Sequence, residues 1–351
     1  MPTDIQIGNR LIGRGHAPLV IAEMSGNHNG SLERALAIVD AAAAAGAQAL
    51  KLQTYTADTM TIDLDRDEFF IADPDNLWTG NSLYKLYAEA STPWDWHAPL
   101  FARARQHGML AFSSPFDASA VDFLATLDVP AYKIASFENI DLPLIRKAAA
   151  TGKPLIISTG MASVAEIGEA VEAARGAGCR DLVLLKCTSS YPASPDDSHL
   201  ATIPHLRDLF GCQVGLSDHT MGIGAAVAAV ALGATVIEKH FTLSRDDGGV
   251  DSAFSLQPAE LKLLVEESER ARQAVGRVHY GRTAIEERSL QYRRSLYIVE
   301  DLRAGAVLTT TNLRAIRPGL GLPPKFIEQA LGRRLRRDAR RGTPLSWDLL
   351  E

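Results

Sequence analysis

Eight short apolar runs, each ending in polar side chains equipped for chemistry, constrain this chain more than any other feature. They read LVIAE to Glu23, ALKLQ with Lys51 and Gln53, MLAFSS to Ser114, AYKIAS with Lys133 and Ser136, and PLIIST with Ser158 and Thr159. LVLLKCT follows with Lys186 and Thr188, then QVGLSDH with Ser217, Asp218 and His219, and TVIEKH with Glu238, Lys239 and His240. Helical, Ala-rich segments separate most of them. Strand, polar tip and helix, repeated eight times, predict an α/β fold, a (β/α)8 TIM barrel, with its chemistry gathered where the strands end.

With 351 residues and 46% hydrophobic composition, the chain can bury one large core and still supply a second, smaller domain. The net charge is −6 and both signs are mixed through the barrel region, which argues against nucleic acid or a membrane surface as partner. The exception is a basic stretch holding Arg333, Arg334, Arg336, Arg337, Arg340 and Arg341, read either as a solvated face or as a grip on an anionic ligand. Cys179, Cys187 and Cys212 are odd in number and lack metal-site or redox spacing, so a disulfide framework is not expected. Cys187 lies in an apolar strand, where a small buried thiol is the default. The N-terminal MPTDIQIGNRLIGRGHAPLV has no apolar h-region, and no later run approaches about 18 apolar residues. A soluble, cytoplasmic protein is expected.

Residues 1–280 are assigned to the barrel, with the strand–helix pattern running from about Leu19 to about Val278. Ser31 is a plausible N-cap for a helix from Leu32 that Gly46 stops. The interval after the second run is long, with Asp58 to Gly80, including Trp78, ahead of a helix around Trp94 to Gln106. Long insertions on a barrel usually shape the substrate mouth. Residues 281–294 read as a charged linker. Residues 295–351 carry short alternating runs between Ala304-Gly305 and Pro318-Gly319 turns, the composition of a small, separately folded module.

His219 and His240 each follow a strand directly, and one helix separates them. Adjacent parallel strands lie about 4.8 Å apart, so both imidazoles reach one divalent ion, with the Glu23 carboxylate on the neighbouring first strand. The bland alternative is strand capping by hydrogen bonds. Lys51, Lys133, Lys186 and Lys239, near the rim, suggest an anionic substrate such as a phosphate or carboxylate. Ser114, Ser136, Ser158, Thr159 and Ser217 add neutral donors at the same height, and no GxxxxGK[ST] loop exists. A covalent role for one lysine, as in class I aldolases, stays open. Glu138 and Asp251 are candidates for gripping a polyol, Asp251 within the glycine-rich GGVDSAF, against a solvated loop acid as the plain reading. Tyr191-Pro192 is either turn chemistry or a hydroxyl facing the mouth.

In order, IAEMSGNHNG, KLQTYTADT, SSPFD, YKIASFE, STGMA, CTSSYP, GLSDHT and EKHFT resemble the sialic acid synthases. RRSL and IRPGLG are similar to the antifreeze-like (SAF, β-clip) domain at the C-terminus of that family. The resemblance implies an enzyme that condenses phosphoenolpyruvate with an open-chain amino-aldose and releases phosphate. It implies a divalent metal ion, manganese or magnesium, on His219 and His240, and a catalytic Glu23. Lys51, Ser114, Lys133, Ser136, Ser158, Ser189 and Ser217 correspond to the phosphoenolpyruvate pocket, and Glu138, Tyr191 and Asp251 to sugar contacts. Homodimers in which each C-terminal domain covers the partner's active site are implied too, with Arg317 delivered across. Ser189 stands where N-acetylneuraminate synthases usually carry an asparagine, and Asp251 is followed by Ser252, Ala253 and Phe254 without their histidine. These departures, with YTADTMT and TPWDWH, resemble the branch that makes pseudaminic acid from 2,4-diacetamido-2,4,6-trideoxy-L-altrose. N-acetylneuraminate or legionaminate synthesis, a class I pyruvate aldolase, and a non-catalytic carbohydrate- or ice-binding protein are the rival expectations.

Overall fold

In the computed structural model, which describes residues 2–74 and 76–351, the chain divides into two units, 1–276 and 277–351. The first opens with a hairpin of β1 (Ile5–Ile7) and β2 (Arg10–Ile12), turned at Gly8 with φ +57°. Ile5, Ile7 and Ile12 are buried, and Gly8 packs so closely on Leu110 and Pro130 that a Cβ there would clash. The hairpin thus plugs the end of the barrel opposite the strand tips.

Eight parallel strands follow: β3 (Leu19–Glu23), β4 (Ala49–Thr54), β5 (Leu110–Pro115), β6 (Tyr132–Ile134), β7 (Leu155–Ser158), β8 (Leu182–Cys187), β9 (Gln213–Asp218) and β10 (Val236–His240). They close into a barrel in which β10 pairs with β3, His240 lying opposite Glu23. Every residue of β3, β5, β7, β9 and β10 is buried, as expected for parallel strands covered on both faces. A helix follows each strand: Leu32–Ala44, Trp94–Gln106, Ala118–Thr126, Leu142–Ala149, Val164–Gly176, Thr202–Phe210, Gly224–Ala231 and Pro258–Val275. Ser31, Asp117, Asp141 and Ser163 accept backbone N–H groups at four of these starts, satisfying donors the first turn leaves free. The insertion after β4 carries its own helix, Leu83–Ala90. Among the described residues no helix is long and apolar enough to cross a membrane.

The second unit pairs β11 (Ser295–Ile298) with β12 (Leu313–Ile316), antiparallel, around an aliphatic core of Leu296, Ile298, Leu308, Leu313, Leu335 and Leu345. Among its described residues no charged side chain is buried. It holds fifteen Lys and Arg against eight Asp and Glu, a balance of +7, which leaves −13 for the barrel unit.

Candidate active site

Period-two alternation sorts the strand tips into an inward and an outward set. On β10, Glu238 and His240 turn into the barrel and Lys239 turns away; on β9, Ser217 turns in and Asp218 out, and His219, just past the strand end, turns in. The outward pair is structural. Lys239 Nζ lies 2.9 Å from Asp218 Oδ2 and donates to the Thr220 and Gly222 carbonyls at 2.5 and 2.9 Å. Lys186 also turns away, donating to the Cys187 carbonyl and to Thr188 Oγ1. The expectation of four lysines at the mouth is therefore corrected to two, because neighbours on a strand cannot share a face.

The two that remain form a buried charged cluster. Lys51 Nζ lies 2.6 Å from Glu23 Oε2 and 3.8 Å from Glu238 Oε1, and donates to Ser114 Oγ at 3.1 Å. Lys133 Nζ is 3.5 Å from the same Glu238 oxygen, to which Ser217 Oγ donates at 3.2 Å. Gln53 donates to Glu23 Oε1 at 3.1 Å. Burial pushes the Glu23 carboxyl up against the opposing pull of Lys51. Burial also acts to raise Glu238, but Lys133 and Lys51 outweigh it and hold the carboxylate below its ordinary range. For Lys133 burial wins and lowers the ammonium. Such a cluster is costly to desolvate and rarely a net source of stability, which points to a chemical task.

Around it, Ser136 Oγ accepts from Gly160 N–H at 3.2 Å, and Asn139 donates to the Ser158 and Gly160 carbonyls at 3.3 Å. A Cβ on Gly160 would lie 2.2 Å from Ser189 Oγ and 2.7 Å from Ser136 Oγ, so only glycine lets both hydroxyls close in. Ser158 Oγ and Glu138 Oε2 are buried without hydrogen-bond partners, as is Glu238 Oε2. Burial raises Glu138 to about 7, with Lys133 opposing.

The two histidine rings lie 5.3 Å apart, centroid to centroid. His219 Nδ1 lies 2.9 Å from the Thr188 carbonyl, which puts the N–H there and leaves Nε2 as an electron-pair donor. His240 is held well below the ordinary imidazole range by burial first, then by His219 and Lys51. Its Nδ1 is buried with no hydrogen-bond partner, Asp251 Oδ2 standing 3.8 Å away. Two facing imidazoles and an orphaned ring nitrogen suit an open divalent-metal site that takes further ligands from substrate and water. Among the described residues no third His, Cys, Asp or Glu joins them in ligating geometry. The Glu23 carboxylate, expected beside the histidines, is instead engaged by Lys51 and Gln53.

Tyr191 stacks at a tilt 4.5 Å from His219 and 5.4 Å from Phe254, and Phe254 lies edge-on 5.0 Å from His240. Asp251 accepts the Ser25 hydroxyl, and burial raises its carboxyl despite that bond. Arg317 belongs to the second unit and is exposed there. Two residues that the sequence left unassigned enter the site. Glu238 was readable from its period-two spacing to His240. Cys187, expected as an inert core thiol, has Sγ 3.9 Å from His219 Nδ1; burial acts to raise it, but His219 brings it down to about 7.

A (β/α)8 barrel with ionised groups and two histidines at its strand tips defines an enzyme-type site. The chain belongs to the NeuB family, whose model matches residues 38–280, and a SAF domain model matches 293–351. It is similar to the pseudaminic acid synthases of Campylobacter jejuni, at 42% identity over 97% of this chain and 98% of the relative, and of Helicobacter pylori, at 42% over 95% and 98%. The N,N'-diacetyllegionaminic acid synthase of Legionella pneumophila is 36% identical over 95% and 94%. Among solved structures, the N-acetylneuraminic acid synthetase of Leptospira borgpetersenii, crystallised with citrate, superposes with TM-score 0.73 at 33% identity, covering 84% of this chain and 97% of that one.

Proposed function

We propose that this protein condenses phosphoenolpyruvate with 2,4-diacetamido-2,4,6-trideoxy-L-altrose and water, giving pseudaminic acid and phosphate. One observation carries the choice of sugar: relatives named for pseudaminic acid match nearly the whole chain at 42% identity, against 36% for the legionaminic relative. Ser189 and the Asp251 to Phe254 run support the same branch.

Phosphoenolpyruvate binds with its phosphate and carboxylate among Lys51, Lys133 and the hydroxyls of Ser114, Ser136, Ser158, Ser189 and Ser217. The partnerless Ser158 Oγ supplies a donor with no competing bond. Holding both substrates in line supplies several of the kcal/mol needed, on the order of 7–11 for well-oriented reactants. Carbon 3 of phosphoenolpyruvate attacks the aldehyde carbon, forming the new C–C bond as the carbonyl electron pair moves onto the aldehyde oxygen. Positive charge develops at carbon 2, which Glu23 and Glu238 offset. Water adds there and gives a proton to Glu23, whose raised pKa suits a proton acceptor. The carbon–oxygen bond to phosphate then breaks, its electron pair leaving with phosphate. The remaining hydroxyl gives its proton to the departing phosphate as it becomes the ketone, while the proton taken by Glu23 passes to the former aldehyde oxygen. A manganese or magnesium ion held by His219 and His240 would supply Lewis acidity at the sugar oxygen. Glu138, Tyr191 and Asp251 hold the sugar.

We assign the protein to the cytoplasm, where phosphoenolpyruvate is made, and to a homodimer whose SAF domains each bring Arg317 to the partner's mouth. The opposite charges of the two units, −13 and +7, favour such docking. Phosphate release from phosphoenolpyruvate across a panel of amino-aldoses tests the reading. Turnover is expected to be far faster with the trideoxy altrose than with N-acetylmannosamine, and equal efficiency would overturn the branch.

A further inference from the structure

Trp78, in the insertion after β4, joins three loops above the histidine pair. Its indole Nε1 donates to the Val250 carbonyl at 2.8 Å, one residue before Asp251. Its ring lies 5.9 Å from that of Tyr191, in the loop after β8. Tyr191 touches Phe254, and those two rings lie against His219 and His240. The segment that carries Val250 has little regular structure of its own. Gly248 and Gly249 sit at φ +69° and +122°, conformations that only glycine holds easily. On one side that segment is tied by Asn29, which donates to the Gly248 carbonyl at 3.1 Å. On the other side the Trp78 indole holds it.

The half-buried indole does two jobs with separate atoms. Its N–H fixes where Asp251 begins, and its ring face backs Tyr191. Tyr191, half-buried and backed by the fully buried Phe254, presents the apolar face of its ring over the histidines, interrupted by its phenol oxygen. Such a surface accepts a methyl group and leaves a hydroxymethyl group without partners for its oxygen, an arrangement that discriminates by desolvation.

We propose that Trp78 is the positioning residue that sets sugar choice, holding Tyr191 and the Val250–Asp251 segment so that the wall fits a 6-deoxy carbon. This rests on the reading of the reaction given above. Trp78→Ala and Trp78→Phe are compared with the parent enzyme by steady-state kinetics, using the trideoxy sugar and its 6-hydroxy counterpart, with thermal melting to verify folding. For Trp78→Ala the KM for the sugar is expected to rise about tenfold or more, with kcat and the KM for phosphoenolpyruvate within about twofold, and preference for the deoxy sugar to fall about tenfold. Trp78→Phe keeps a ring against Tyr191 and lacks the N–H, so it should recover most of the preference while the KM stays raised. An unchanged sugar preference in Trp78→Ala overturns the inference. So does a matched rise in both KM values with a fall in kcat, the mark of a generally disordered mouth. No turnover of the trideoxy sugar by the parent enzyme is a different result: it sinks the reading of the reaction, and this inference with it.

Discussion

The barrel and the C-terminal unit solve the problem of charge in opposite ways. At the barrel mouth Glu23, Lys51, Lys133 and Glu238 are all buried, whereas the SAF unit buries aliphatic side chains and keeps its charges in water. Buried ion pairs seldom repay their desolvation, so their concentration at one end of one unit marks where stability has been given up for chemistry. The SAF unit shows no such sacrifice. Its basic surface suits long-range attraction to an acidic partner more than bond making.

The sharpest way to break that contrast is to separate the two units' contributions to turnover. His240→Ala and Arg317→Ala should each lower kcat/KM by about a thousandfold or more, and mixed dimers formed by subunit exchange should regain activity, since one mouth then has an intact barrel and an intact SAF domain. Chelation should likewise abolish turnover, with manganese or magnesium restoring it, and His240→Ala should lose metal binding measured directly by calorimetry. Full activity after chelation, or no recovery on mixing, would break the scheme.

Stability tests come next. Lys51→Ala leaves Glu23 and Glu238 without their shared cation and should cost the barrel about 3–5 kcal/mol in chemical denaturation. Leu345→Ala should cost about 2–5 kcal/mol through a cavity, confined to the melting transition of the SAF unit. pH tests the barrel further. Burial holds His97 down to about 4, with Thr54 Oγ1 2.8 Å from its Nε2. The unfolded chain takes up that proton near 6.5, so the contribution of His97 to barrel stability is complete above 6.5 and is lost as pH drops towards 4, about 3 kcal/mol from this residue. The buried His28, also held to about 4, adds a loss of the same sign. The smallest effect belongs to Arg337→Ala: its pair with Asp348 is solvent-exposed on both sides, and no measurable change in melting temperature is expected.

Much of this was legible in the chain because a parallel barrel writes itself as apolar runs of fixed length with polar ends. The run LVIAE falls on β3 to the residue, TVIEKH and β10 both end at His240 and differ by one residue at the start, and the helix over Trp94–Gln106 stands as expected. What stayed hidden was direction. Lys51 and Lys239 look alike as lysines in apolar strands, and only parity relative to a known inward neighbour separates them. The same parity would have promoted Glu238 and Cys187. The N-terminal hairpin carries a visible signal, alternating IQI and RLI around Gly8-Asn9, but its runs are too short to stand out from a loop. The role of Trp78 depends on three segments far apart in sequence, which no local pattern encodes.

The Glu238–Lys239–His240 tripeptide has a consequence for how such a chain can change. Its outer residue braces the loop after β9, and its inner residues turn into the barrel towards Lys51, Lys133 and His219, so the strand is read in steps of two. One residue inserted upstream within β10 would swing the lysine into the mouth and the carboxylate and imidazole into the helical layer, a frameshift in space rather than in codons. Strands of this kind can therefore vary only by replacement. Gains and losses of length are left to segments such as that between β4 and the Trp94–Gln106 helix, where a new loop can alter what the enzyme accepts without disturbing what it does.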